Sequence, residues 1–265
     1  MNAPSRDNLP VAFAMMMLGV VLVASMDTIA KILTETVPLT QVVWGRFFFH
    51  AVFLAPAAYW LARRTPLSFT RKSFLGHGAR GVLLLLSTVF YFAAIRDNPI
   101  PDAIAVFFIE PILVMFMAAI FLGEPLRRRR LLAGLVAFGG VMIVLRPGSG
   151  AYQPTILFSL LAAFSFGGYI IFTRASSVRG SPLLLTWGTG LAGLLCVTPF
   201  TVFVWQPPNV EEWLLLGLMG IFAAGGHWAI AAACRLANAS LVALFHYSEI
   251  MAAAIISYFV FAHIP

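Results

Sequence analysis

Residues 104–130 read IAVFFIEPILVMFMAAIFLGEPLRRRR. An apolar run long enough for a helix carries one carboxylate, Glu110, directly before the helix-disrupting Pro111, and closes on four arginines, Arg127 to Arg130. An acid near the middle of a bilayer costs roughly 2.5–3.5 kcal/mol on insertion scales, so it marks a site more often than an accident. The second half of the chain repeats the device. Arg96 precedes Glu110 by fourteen residues, Arg235 precedes Glu249 by fourteen, and two alanines stand shortly before each arginine (Ala93-Ala94 and Ala232-Ala233). The rest of the chain reads as scaffolding for these two segments.

The composition names the solvent. Of 265 residues, 61% are apolar and 10% charged, against about 25% charged in soluble domains. No soluble interior could hide that much apolar surface, so the chain is an all-α polytopic membrane protein. The net charge of +7 reflects basic cytoplasmic loops rather than nucleic-acid binding. Cys196 and Cys234 lie in or beside apolar runs without metal spacing and read as packing residues. The apolar run after Arg6 is too long for a signal peptide and carries Asp27 and Lys31, so it is the first span.

Nine spans are expected, near 11–33, 40–62, 75–95, 102–122, 131–146, 155–173, 183–205, 213–234 and 240–262. Short Pro-, Gly- or charge-bearing breaks separate them, so neighbours run antiparallel. With the N-terminus in the cytoplasm, twelve Lys and Arg fall inside and three outside, which sets the orientation. Five spans then belong to a first unit, residues 1–148, and four to a second, residues 149–265. An odd number of helices per unit inverts the second relative to the first. At about 1.5 Å rise per residue, Glu110 lies roughly 14 Å from the outer end of its helix and Glu249 roughly 14 Å from the inner end of its own. Both fall near mid-depth. The closing FVFAHIP aligns with the FLGEP that ends span four, so a tenth helix is expected and the second unit reads as incomplete.

Three segments together resemble the drug/metabolite transporter superfamily, EamA type, which has two tandem five-helix repeats. They are MDTIAKILTETVPLTQVVWGRFFFH, then FLGEPLRRRRLLAGLVAFGGVMIVLRPG, then LVALFHYSEIMAAAIISYFVF. The resemblance implies ten helices, cytoplasmic termini, and a central cavity lined by the third, fourth, eighth and ninth helices that opens to each side in turn. The opening MDTIAK with the WGRF segment is similar to members that carry riboflavin, S-adenosylmethionine or metallophore-type metabolites. Two departures stand out: the missing tenth helix, and Ile250 where the first copy has Pro111, which implies a weaker break in the ninth helix.

The candidate binding or coupling residues follow. Glu110 and Glu249 read as a site for a cationic group or a coupling proton, or as carboxylates that cap a broken helix or pair with an arginine. His246 shares the face of Glu249, and Tyr247 lies beside it. Arg46 and His50 share a face and suit an anion; the alternative is a salt bridge from Arg46 to Asp27. Trp44 lies near them on another face. Asp27 and Lys31, four apart, read as an ordinary ion pair. Tyr91, Tyr169, Trp187 and Trp228 can stack on a planar substrate or simply pack, and His227 stands beside Trp228. No metal cluster, phosphate loop or nucleophile elbow stands out, so neither a cofactor nor an enzyme is expected. The reading is a secondary carrier of the inner membrane for a small organic metabolite, in contact with membrane lipid, monomeric or weakly dimeric. An intramembrane lipid enzyme or a non-transporting sensor is the alternative.

Overall fold

A computed structural model describes residues 8–64, 71–98, 100–145, 153–177 and 181–252. Arg6, Arg146 and Arg179, the unit boundary near residue 148, and the stretch 253–265 that would end the ninth span and lead to a tenth lie outside the described residues. Ten helices are described: α1 Leu9–Leu33, α2 Leu39–Arg64, α3 Arg71–Asp97, α4 Ile100–Phe107, α5 Glu110–Leu122, α6 Arg128–Leu145, α7 Phe158–Ser177, α8 Pro182–Thr201, α9 Val210–Leu236 and α10 Ala239–His246. Seven stretches among them are long and apolar enough to cross a membrane.

Local chemistry sets the ends. Pro10, Pro111 and Pro182 stand in the first turns of α1, α5 and α8, where a missing N–H costs nothing. α5 stops at Gly123, whose φ of 65° is the left-handed cap that a Cβ would disfavour. α9 opens on a reciprocal cap: Glu212 N–H donates to Asn209 Oδ1 at 2.9 Å, and Asn209 N–H donates to Glu212 Oε2 at 2.8 Å.

The fourth and ninth spans are each broken. α4 and α5 are separated by a turn at Phe108-Ile109, and α10 is followed by a turn at Tyr247-Ser248 before helix resumes over 249–252. The expected weakness of the second break is not found. Pro111 cannot donate to the turn before it, which breaks the first copy. In the second copy the hydroxyl of Ser248 donates to the Phe245 carbonyl, which occupies that acceptor locally. Two different residues thus produce the same break, and each break places an acid first in the helix that follows.

The packing exchanges partners between the halves. α1 packs on α9 and α7 packs on α3; α2 packs on α9 and α8 packs on α3; α1 meets α10 and α7 meets α4. Each contact has a mate with the roles of the halves swapped, as a two-fold relation requires. α2 and α8, each the counterpart of the other, lie together near that axis, and α5 of the fourth span packs on α10 of the ninth. Close approach relies on small residues: a Cβ at Gly190 or Gly193 of α8 would strike His50 or Phe47 of α2. Large apolar side chains at the periphery, including Ile120, Phe121, Val136, Ile143 and Phe203, stay exposed, as lipid-facing residues do.

Candidate functional site

The two breaks meet. Phe108 and Tyr247, each two residues before an acid, pack ring against ring at 5.7 Å. From the same turns, His246 Nδ1 and Glu110 Oε2 form a hydrogen bond of 3.0 Å with both side chains buried. Glu110 Oε1 has no partner among the described residues. Asp27 and Glu110 both lie within electrostatic range of Glu249. The acids therefore converge from opposite ends of the sequence on one region.

That region holds a cavity. Its polar wall is Asp27, Arg46, Ser87, Thr88, Tyr91, His227, His246 and Glu249, and its apolar wall includes Leu84, Phe107 and Phe166. α3, α4, α9, α10 and the residues after α10 contribute, as the resemblance implied, and α1, α2 and α7 contribute as well. All the ionisable side chains in the wall are buried, where charge–charge attraction is stronger than in water and an unpaired charge is correspondingly costly.

Arg46 is the hub of the cavity. It donates from Nε to Met26 Sδ at 3.1 Å, from Nη1 to Thr88 Oγ1 at 2.6 Å and from Nη2 to His227 Nε2 at 2.5 Å. One arginine so ties α2 to α1, α3 and α9. A guanidinium has no acceptor, so His227 accepts at Nε2 and carries its proton on Nδ1. That Nδ1 has no partner among the described residues. The guanidinium also lies 4.7 Å from the centre of the Phe47 ring.

The remaining sequence candidates divide. Tyr91 lines the cavity with a buried hydroxyl that has no partner among the described residues. Glu110 and Tyr247 stand just behind the wall, Glu110 held to it through His246. His50 shares the face of Arg46 but donates from Nε2 to the Thr186 carbonyl at 3.2 Å, packed into α8 and outside the cavity wall. Trp44 is turned away: its Nε1 donates to Thr198 Oγ1 at 3.2 Å and its ring stacks on Phe48 at 4.7 Å. Trp187 and Trp228 are half-buried and absent from the wall.

Two expected ion pairs are not formed. Lys31 does not pair with Asp27; it reaches the carbonyls of Ile95 and Arg96 at 2.5 and 3.1 Å and so caps the C-terminal end of α3. Arg46 and Asp27 interact electrostatically but form no salt bridge within 4.0 Å, because the guanidinium is held by Thr88 and His227 instead. Freed from both partners, Asp27 faces the cavity with Oδ1 unpartnered among the described residues. The sequence signal for it was present, an acid inside an apolar span, and the nearer lysine concealed it.

A second polar cluster links the halves away from the cavity. Glu124 of the LGEP segment accepts from the N–H of Ala239 at 3.0 Å, the N–H of Ser240 at 3.3 Å and the Ser240 hydroxyl at 2.7 Å. It thereby caps α10 from the other half of the chain. Arg130 donates to Ser240 Oγ at 2.8 Å, and Arg174 lies 3.9 Å from Glu124 while donating to the Cys234 carbonyl at 2.7 Å. Among the described residues no cluster of His, Cys, Asp or Glu is placed to hold a metal ion.

Comparison with known proteins gives three kinds of match. The EamA-like transporter family matches residues 11–146 and again 153–265. The S-adenosylmethionine uptake transporter of Rickettsia bellii is 25% identical over 249 residues, covering 94% of this chain and 84% of that protein. The riboflavin transporter of Vibrio cholerae is 28% identical over 234 residues, 86% of this chain and 76% of that protein. The pseudopaline exporter CntI of Pseudomonas aeruginosa is 25% identical over 228 residues, 85% and 79% respectively. A crystal structure at 20% identity superposes with a TM-score of 0.76 over 97% of this chain and 90% of that one, which shows the shared fold.

Proposed function

The chain belongs to the EamA-like transporter family, and from that premise we propose that the buried cavity is the transport site. A small organic metabolite binds there and is passed across the inner membrane by rocking of the two halves. The observation that supports this reading is the convergence of two broken helices on a polar cavity inside a largely apolar bundle. Irregular backbone at membrane depth is tolerated where it lines a cavity or is buried in protein. The relatives are named for uptake of S-adenosylmethionine, for riboflavin transport and for export of pseudopaline. A family spanning both directions supports a carrier whose direction is set by gradients or by exchange.

In this reading Glu249 contacts the metabolite or a coupling proton, and Glu110 acts through His246. The arrangement has a mechanical consequence. The Glu110–His246 bond spans the two halves, so any motion that separates α5 from α10 must break it, and a proton or ligand that competes for either group favours the motion. The unit boundary near residue 148, the cytoplasmic N-terminus and a monomer or weak homodimer complete the proposal. The boundary falls between the two family matches.

The experiment is uptake and counterflow in liposomes with purified full-length protein, screened over a metabolite panel. Substrate-dependent flux that falls with both Glu249→Gln and Glu110→Gln is the expected result. Flux unchanged in both variants removes the site assignment, and absence of flux for every metabolite removes the carrier reading.

A further inference from the structure

The polar groups of the cavity differ in what they have left to offer a ligand. Each of the three nitrogens of Arg46 already has a partner, in Met26, Thr88 and His227. The carboxyls do not. Asp27 Oδ1 is buried and unpartnered, and neither Asp27 nor Glu249 has an ion pair within 4.0 Å among the described residues. The two acids lie within electrostatic range of one another, and the hydroxyl of Tyr91, also unpartnered among the described residues, lies within range of both. Two carboxyls that line one buried cavity repel when both are ionised, and with Arg46 held by Thr88 and His227 the arrangement gains from a positive group placed between them.

The wall next to the acids is aromatic. Phe107 packs on Tyr91 at 5.3 Å and on Phe166 at 5.8 Å. Ring faces at that position suit a planar group, and they also attract a cation electrostatically. At the basic end, by contrast, every Arg46 nitrogen is hydrogen-bonded within the protein, and His227 presents a neutral Nδ1–H rather than a charge.

We infer that the metabolite is an organic cation with a planar ring: its positive group lies between Asp27 and Glu249, and its ring lies against Phe107 and Phe166. This rests on the cavity being the transport site, and it names the chemical class that site accepts. Asp27 becomes the residue that reads charge, a role separate from that of Glu110, which is occupied by His246.

A set of three isosteric probes tests it without knowledge of the physiological substrate. Phenethylamine is a cation, 2-phenylethanol is neutral and phenylacetate is an anion; each carries one ring on a short chain. Binding is measured by calorimetry on the full-length protein in lipid nanodiscs. Phenethylamine should bind roughly tenfold or more tightly than 2-phenylethanol, a difference of about 1.4 kcal/mol, and phenylacetate should bind weakest. Asp27→Asn should bring the amine-to-alcohol ratio close to one. Glu249→Gln should do the same and serves if the first variant does not fold. Phe107→Ala should weaken amine and alcohol alike.

Equal affinity for amine and alcohol, preference for phenylacetate, no binding of any probe, or a preference retained in both acid variants would each overturn the inference. So would stabilisation by sodium ions alone with no response to the amine. The two readings fail separately. Flux of a metabolite without charge preference removes the inference and leaves the carrier; charge-selective binding without any flux leaves the inference and removes the carrier.

Discussion

His246 of α10 and Glu110 of α5 share a hydrogen bond of 3.0 Å across the junction of the two halves, with both side chains buried. Removing one partner strands the other, and an unsatisfied buried polar group costs about 1–3 kcal/mol. Glu110→Ala should therefore lower the thermal midpoint of the protein in detergent, and Glu110→Gln should lower it less, because an amide can still bond the ring. A double-mutant cycle with His246→Ala should return a coupling of about 0.5–3 kcal/mol. Additive effects of the two substitutions would show that the bond contributes nothing.

Arg46 sets two effects against each other. Its bonds to Thr88 and His227 each join a charged donor to a neutral acceptor, worth about 1.5–3 kcal/mol apiece. Burying the guanidinium costs several kcal/mol in the other direction. Arg46→Met removes both the bonds and the buried charge. Arg46→Lys keeps the charge, yet one ammonium cannot reach Met26, Thr88 and His227 together. The lysine variant is therefore expected to be the less stable, by about 1 kcal/mol or more. Thermal unfolding of the two purified variants decides it, and the reverse order would mean that the bonds outweigh the desolvation.

The sequence carried the two acids, because an acid in an apolar span stands out whatever surrounds it. It also carried the places where the helices break, since loop chemistry punctuates the runs clearly. It did not carry which face of each span looks inward. α1, α2 and α9 are apolar over much of their circumference, so periodicity hardly distinguishes the cavity face from the lipid face. Trp44 is a candidate by proximity to Arg46 in the sequence, yet two residues along a helix turn it toward Thr198. Spacing and the place of Lys31 near a helix end pair it with Asp27, and only the fold brings the end of α3 close enough to take that lysine away. Arg96 and Arg235, which marked the repeat, do not partner the acids; Arg96 is exposed beside Asp97 at 3.8 Å, and Arg235 is exposed.

Gly193 leaves room for Phe47. A Cβ at that position would lie within the space of the Phe47 ring, on the line where α2 meets α8. Overpacking of this kind costs about 1–3 kcal/mol. Gly193→Ala should lower the thermal midpoint, and adding Phe47→Leu, which withdraws the ring, should restore part of the loss. A single Gly193→Ala variant as stable as the parent would show that the two helices can separate freely there.

Glu124 joins the halves at a place remote from the cavity, and its effect on access can be separated from its effect on stability. It accepts from two backbone N–H groups and one hydroxyl at the start of α10, and Arg174 approaches it from α7. As a cap alone it would contribute about 1–2 kcal/mol, and Glu124→Ala should lower the thermal midpoint accordingly. As a clasp it would also hold α10 against the loop before α6, closing that route to the buried Ala243 one turn further on. A cysteine placed by Ala243→Cys, with Cys196 and Cys234 replaced, reports on this through its rate of labelling by a membrane-impermeant thiol reagent. Glu124→Ala should speed labelling several-fold at temperatures well below unfolding. If the midpoint falls and the labelling rate stays constant, Glu124 caps the helix without gating the route, and the closed state must be held by contacts among the apolar side chains of α5, α7 and α10.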